Sequence, residues 1–400
     1  MKKTKLALAI ASAAMISTPV LATNGDNLIG LGAQARALGG TGTAAFYGSE
    51  NALTNPALLG KSTGSEFTIG GTVFMPNVEA STDVAAPGTT KTSKSDNDLN
   101  IIPEVSMSTR INDNWTFGLG MFGSAGMGVD YRDESALFKG YSNLQLLKFA
   151  PSLAYNEDNF GIGFAPVIQY GALDINYDFG GTVGNGMSTD LGYGYNLGAY
   201  FDVSKNFTIG ASYESAISME YKDQISTAAA GFNTGLGLAL NLGDKLEQPA
   251  TIKIGAAYTT GNIMLTADAK QIKWGDAEGY KDFNWKDQNV LALGAKYSGN
   301  DYWIGAGYNF GSDPIDKLSD TTRENQAINL LNNHFFPGIV ESHVSLGGGY
   351  SLSKNTMIEG SVVYAPEVTK TIDTTLLTGA SSHTVKHSQM GYTVSLKMNF

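Results

Sequence analysis

The sequence contains no cysteine. A disulfide framework is therefore excluded, and an exported chain of this composition must draw its stability from another source. Beyond the first residues, no stretch offers eighteen or more consecutive apolar residues, which excludes transmembrane helices. Charge is also scarce: Asp, Glu, Lys and Arg make up 16% of the chain, less than a soluble domain usually carries. Basic residues are the minority, 26 against 37 acidic, so no nucleic-acid partner is expected. The glycine clusters follow no strand-to-helix pattern, so no phosphate-binding loop is read.

The first residues read as an export signal. Lys2, Lys3 and Lys5 form a basic start, Leu6 to Ile16 is a short apolar run, and Val20-Leu21-Ala22 suits a signal peptidase. Cleavage is expected after Ala22. Removing a segment with three Lys and no acid takes the formal net charge from −11 to −14. Glycine is abundant at 49, and Tyr and Phe are common, which fits a closed barrel of alternating strands.

Period-2 alternation recurs along residues 65–400. Tyr392, Val394, Leu396, Met398 and Phe400 share one face, with Thr393, Ser395, Lys397 and Asn399 on the other. Trp115 to Met121, Phe207 to Glu214, Thr251 to Thr259 and Tyr302 to Phe310 repeat it. Charged residues within these runs, such as Glu104, Arg110, Asp268, Lys270, Glu359 and Lys397, keep mostly to the polar face. Lipid-facing charge at mid-depth costs several kcal/mol, roughly 2–4 for Lys or Arg, so this parity suits an outer-membrane barrel with lipid outside and a polar lumen. The terminal Phe resembles the assembly signal of outer-membrane proteins and implies the barrel assembly machinery as a partner.

Short turns fall at Asn112-Asp113, Asn156 to Asn159, Ser204 to Asn206, Thr260 to Asn262, Ser298 to Asp301 and Ser353 to Asn355. Longer stretches alternate with them near 80–97, 130–143, 179–188, 221–247, 275–286, 313–340 and 371–382. Six short turns and seven long loops predict fourteen strands, with periplasmic turns and extracellular loops. Residues 224–243 and 321–336 read as short loop helices. Leu330, Leu331, Phe335 and Phe336 in the second either pack against neighbouring loops or form an apolar landing groove at the barrel mouth.

Residues 23–64 are small, Gly-rich and only weakly charged, unlike a solvated tail. They are expected to form a compact plug, or hatch, inside the lumen, since an empty barrel of fourteen strands would conduct water. Ala35-Arg36-Ala37-Leu38-Gly39-Gly40-Thr41-Gly42-Thr43-Ala44, followed by Asn55-Pro56-Ala57, resembles the N-terminal hatch of the FadL/TodX family of outer-membrane hydrophobe transporters. Ile111 to Gly120, Gln248-Pro249-Ala250, and Phe336-Pro337-Gly338-Ile339 leading to His343-Val344-Ser345-Leu346-Gly347 are similar to further segments of that family. The resemblance covers the chain after the signal.

The resemblance implies passive, cofactor-free transport of hydrophobic molecules by a monomer embedded among outer-membrane lipid and lipopolysaccharide. Long-chain fatty acids are the leading cargo, with alkanes and monoaromatics as alternatives. Capture between extracellular loops is followed by binding in an apolar pocket closed by the hatch, then lateral release through a kinked third strand. Gly123, Gly126 and Gly128 are the expected gate, because glycine inside a strand often marks a break in pairing. Thr23, Asn24 and Gly25 are expected to act as a displaceable lid. Arg110, Lys253, Lys270 and Lys296 are candidate lumen cations for a carboxylate, with Asp268 and Glu104 as ordinary ion-pair partners.

Rival readings make different demands on these residues. His343 and Ser345 share a strand face, as in a lipase, but point to the lumen rather than to bilayer substrate. His383 and His387 lie about 13 Å apart in an extended chain, too far for a metal pair. An aqueous porin would share the strands and terminal Phe but lack the plug, and deleting residues 23–57 should raise conductance only if they form one. Long loops alone also suit a secondary role as adhesin or phage receptor.

Overall fold

The computed structural model describes residues 24–84, 88–379 and 382–400. The expected export signal at 1–22, and Thr23, lie outside them. Fourteen long strands form one antiparallel sheet. They are β1 (Ser65–Thr82), β2 (Asn100–Arg110), β3 (Trp115–Asp130), β4 (Tyr141–Glu157), β5 (Phe160–Asp178), β6 (Ser188–Ser204) and β7 (Phe207–Glu214). The second half holds β8 (Thr251–Thr260), β9 (Ile263–Ile272), β10 (Gln288–Ser298), β11 (Tyr302–Gly311), β12 (Ser342–Ser353), β13 (Thr356–Asp373) and β14 (Ser382–Asn399).

Each strand pairs with its sequence neighbours, and β1 pairs with β14 from Glu66↔Asn399 to Thr82↔His383. That last ladder closes the sheet into a barrel. Closure leaves no exposed sheet edge and satisfies the backbone without help from water, the condition for crossing lipid with strands.

The pleat sorts the side chains as the alternation predicts. Ile252, Ile254 and Tyr258 of β8 are exposed on the outer face, while Lys253 turns inward to Glu214. Glu104, Asp268, Glu359 and Lys397 are all buried. Outer-face Tyr193, Leu346, Val394 and Ile304 are exposed, and hydrocarbon is their natural solvent.

The six short connections lie where expected, and the seven long ones gather at the other end. Two of the long loops are more ordered than the sequence suggested. Lys91–Lys94 folds back on β1 and Thr182–Val183 pairs with β5, so the wall reaches beyond the expected strand ends. Helices α1 (Gly32–Ala37) and α2 (Asn51–Thr54) precede the barrel; α3 (Ile225–Leu236), α4 (Arg323–Phe335) and α5 (Thr375–Thr378) belong to the long loops.

Residues 24–64 lie within the ring of strands. Helix α1 touches β11 to β14, and the 3-10 turn Pro56–Lys61 touches β3 to β6 on the far wall. Inward-facing glycines make this possible. A side chain at Gly307 would meet the Gly39 backbone at 2.0 Å, and one at Gly163 would meet Ala57 N at 2.2 Å.

Candidate functional site

The kinked strand organises the site. Strand β3 pairs with β2 only from Arg110↔Thr116 to Glu104↔Phe122. Its register against β4 then slips between Gly123 and Ala125. Above that point Asn100 to Pro103 of β2 pair with β1 alone. Residues 122–127 of β3 are all buried, so the strand has turned into the lumen. Gly123 is needed where the two walls part: a Cβ there would lie 2.6 Å from Ile102 Cγ2. A Cβ at Gly128 would meet Ser142 O at 2.3 Å.

The N-terminal residues occupy the space β2 vacates. Gly126 N donates to Asp26 O at 3.1 Å, and Leu28 N donates to Ser124 O at 3.2 Å. Gly126 of the expected gate and Asn24 and Gly25 of the expected lid therefore belong to one contact region. Gly25 has φ +70°, and a Cβ on it would stand 2.6 Å from Trp274 Cζ2. Trp274, Tyr280 and Trp285 enclose it, with ring centroids 4.6, 4.9 and 4.8 Å apart pairwise. These three aromatics come from the loop between β9 and β10.

Asp26 follows, fully buried. Its Oδ2 accepts from the Tyr280 hydroxyl and from Gln248 Nε2 at 2.9 Å. Burial pushes its carboxyl up to about 6 despite those bonds and the nearby Lys148. Below it a cavity of about 80 Å³ is lined by Leu28, Ser124, Lys148, Glu214, Lys253 and Lys270, among others. Glu214 bridges Lys148 at 2.7 Å and Lys253 at 2.9 Å.

The rest of the N-terminal segment is wired to the wall. Asn55 caps the 3-10 turn by accepting from Ala57 N at 3.2 Å, and donates to Thr43 O at 2.7 Å and Ala199 O at 3.1 Å. Pro56 suits the first position of that turn, since its missing N–H would be unbonded there. Arg36 makes a buried pair with Glu104 at 2.6 Å. Asp268 accepts from Gly42 N, Thr43 N and Thr43 Oγ1 at 2.8–3.0 Å.

Several expected site residues sit differently. Leu330, Leu331, Phe335 and Phe336 form no exposed groove: all four are buried at 3% exposure or less. Helix α4 turns them inward, where Phe335 packs on Tyr177 and Phe336 on Phe283, so the packing reading describes them. The cations also divide. Lys253 has a carboxylate partner, but Lys270 donates to Ile29 O and Gly40 O, and Arg110 donates to Gly60 O and Ser62 O. Lys296 lines a separate cavity of about 430 Å³ at the short-turn end. Glu104 and Asp268 serve the N-terminal segment rather than wall cations.

His343 and Ser345 do point inward, and the Ser345 hydroxyl donates to Ala37 O while accepting from Gly39 N. His387 faces Pro337 O, and His383 faces His334 at 3.1 Å. Among the described residues no group of three or more His, Cys, Asp or Glu is placed to hold a metal ion.

Asp26, Tyr280, Trp274 and Trp285 were not singled out from sequence. Nothing periodic marks them; a lone acid in a Gly- and Asn-rich stretch was the only available signal.

Comparison with known proteins follows this geometry. The profile described as "Outer membrane protein transport protein (OMPP1/FadL/TodX)" matches residues 14–400. A long-chain fatty acid transport protein of Escherichia coli O6:H1 is 25% identical over 255 residues, covering 54% of this chain and 55% of that one. The match thus spans about half the length of that curated relative. The crystal structure of the P. putida toluene transporter TodX superposes with a TM-score of 0.70 at 19% identity, covering 94% of this chain and 99% of that one. A Pseudomonas aeruginosa FadL homologue gives 0.69 at 16%, covering 94% and 100%.

Proposed function

Because this chain belongs to the FadL/TodX family of outer-membrane transport proteins, we propose that it carries hydrophobic molecules passively across the outer membrane, long-chain fatty acids foremost. The observation that carries this reading is the N-terminal segment lying alongside β3 where β2 departs from it. A hydrophobe gains nothing from an aqueous pore but is favoured by apolar walls. Apolar side chains of the long loops are gathered at the mouth, with Trp274, Tyr280 and Trp285 packed around Gly25 beneath the buried face of α4.

Cargo enters between the long loops, passes this apolar shell and meets a lid that includes Asn24 and Gly25. Residues 24–64 act as the hatch, pinned by Asn55, Pro56 and Ala57. Release is lateral, between β2 and β3 beside Gly123, Gly126 and Gly128. No step needs a cofactor. A lumen occupied by residues 24–64 ill suits the rival aqueous porin.

The test is a ligand titration of purified protein with a long-chain fatty acid, a long-chain alkane and toluene. Saturable fatty-acid binding, lost uptake on removal of the protein, and low steady ion conductance are expected. If none of the three classes binds and uptake is unchanged, the transport reading falls.

A further inference from the structure

A plug has no need of a buried charge. Small apolar residues would fill the space beside β3 at lower cost, because burying a carboxylate with incomplete hydrogen bonding is expensive. Asp26 is nevertheless fully buried, and its Oδ1 has no partner among the described residues. Its Oδ2 takes both the Tyr280 hydroxyl and the Gln248 amide, donors supplied by two different long loops. The surrounding charge also calls for an anion. Lys148 lies near Asp26, and it shares its one carboxylate partner, Glu214, with Lys253.

The neighbouring contacts have the shape of an amphiphile. Directly before the carboxylate, the bare backbone of Gly25 lies between Trp274 and Trp285. No side chain fits there, since a Cβ would stand 2.6 Å from Trp274 and 2.9 Å from Trp285. Residues 26–28 run beside β3 as a short antiparallel bridge, with backbone bonds to Ser124 and Gly126, rather than as a full strand of the sheet.

We propose that Tyr280 and Gln248 form the carboxylate site for the cargo, and that Asp26 is a built-in stand-in which an incoming fatty acid displaces. The inference rests on the transport reading above and names the headgroup that this site selects. A fatty acid repeats what residues 25 and 26 present: an apolar stretch between the two indoles, then a carboxylate on the hydroxyl and amide. Alkanes and monoaromatics cannot take over the two donors, and leaving buried donors unpaired disfavours them.

The mature protein in detergent, titrated with dodecanoate and with dodecanol, tests this. Tyr280→Phe and Gln248→Leu should each weaken dodecanoate binding about tenfold, the loss expected for one hydrogen bond to a charged group. Dodecanol binding should fall less, because a neutral hydroxyl gains less from either donor than a carboxylate does. Asp26→Ala, which leaves the segment no side-chain acceptor for the two donors, should strengthen dodecanoate binding several-fold. If Tyr280→Phe does not assemble, Gln248→Leu reads the same contrast. An unchanged dodecanoate-to-dodecanol ratio in the Tyr280 and Gln248 variants would overturn the inference, leaving Asp26 an anchor only, while hydrophobe transport stands. Failure of the unmodified protein to bind either probe would remove the transport reading, and this inference with it.

Discussion

Asn55 shows how much one side chain does in a filled lumen. Its oxygen caps the Pro56 turn, and its amide bridges Thr43 of the N-terminal segment to Ala199 on the wall. Asn55→Ala removes the side-chain partner of two buried backbone groups, Ala57 N and Thr43 O, at about 1–3 kcal/mol each. The expected outcome is a loosened hatch, read as tryptic cleavage after Arg36, which is buried in the native protein; continued resistance would contradict it. Asp26 makes the docking of the N-terminal residues depend on pH. Its carboxyl rises from an ordinary 3.8 to about 6 in place because burial penalises the charge. The docked segment therefore holds a proton more tightly than the free one. Docking is strongest below 3.8, loses about 3 kcal/mol as pH climbs to about 6, and is level beyond. Tyr280 and Tyr221, which also face Asp26, stay neutral throughout, since burial raises both. Hydrogen exchange at the Leu28 and Gly126 amides, corrected for intrinsic rate, should show protection falling across that window, and a flat profile would sink the prediction.

At the level of elements, the departure of β3 from β2 is the feature with most leverage. The pairing ends at Phe122, and the register slip against β4 follows at once. A Cβ placed on Gly123 lies 3.7 Å from Ile102 Cβ, within the 3.5–4.5 Å that a disulfide spans. The chain has no other cysteine, so the pair Ile102→Cys and Gly123→Cys can be oxidised cleanly. Oxidation should fasten β2 to β3 and stop fatty-acid uptake, while ligand binding and barrel assembly persist; reduction should restore uptake. Unimpaired uptake by the oxidised protein would exclude lateral release at this point. Helix α4 illustrates a different lesson. Its amphipathic spacing was visible, but an apolar helix face in a loop can meet cargo or neighbouring loops equally well. Folding resolved it inward, onto Tyr177 and Phe283.

At the scale of the whole molecule, a closed sheet in a hydrocarbon solvent surrounds a buried apolar cluster formed by the long loops and the strand ends beneath them. The outer face is apolar and the inner face holds the charges, so neighbouring residues tolerate opposite substitutions. Ile254 is 60% exposed on the lipid side, next to inward Lys253. Ile254→Lys should lower stability in lipid vesicles by about 2–4 kcal/mol in a denaturant titration. An effect near zero would show that this position lies outside the hydrocarbon.

Much of the architecture was legible in the residues alone, because strand alternation is a local property. A side chain's face follows from its neighbours two positions away, and a tight turn from two to four residues. Thus the fourteen strands, the six turns, the inward charges and the two loop helices could be read directly. Asn55-Pro56-Ala57 stood out only through the family resemblance, and neither its 3-10 turn nor its wall partners could be read from the residues. What the sequence could not hold is any contact made by closing the ring. Asp26 meets Gln248 and Tyr280 across 222 and 254 residues, and Arg36 meets Glu104 across 68. Such pairs have no spacing to recognise. They exist because β14 returns to β1 and forces the long loops and the N-terminal segment to share one enclosed volume, where each buried polar group must find whichever partner lies within reach.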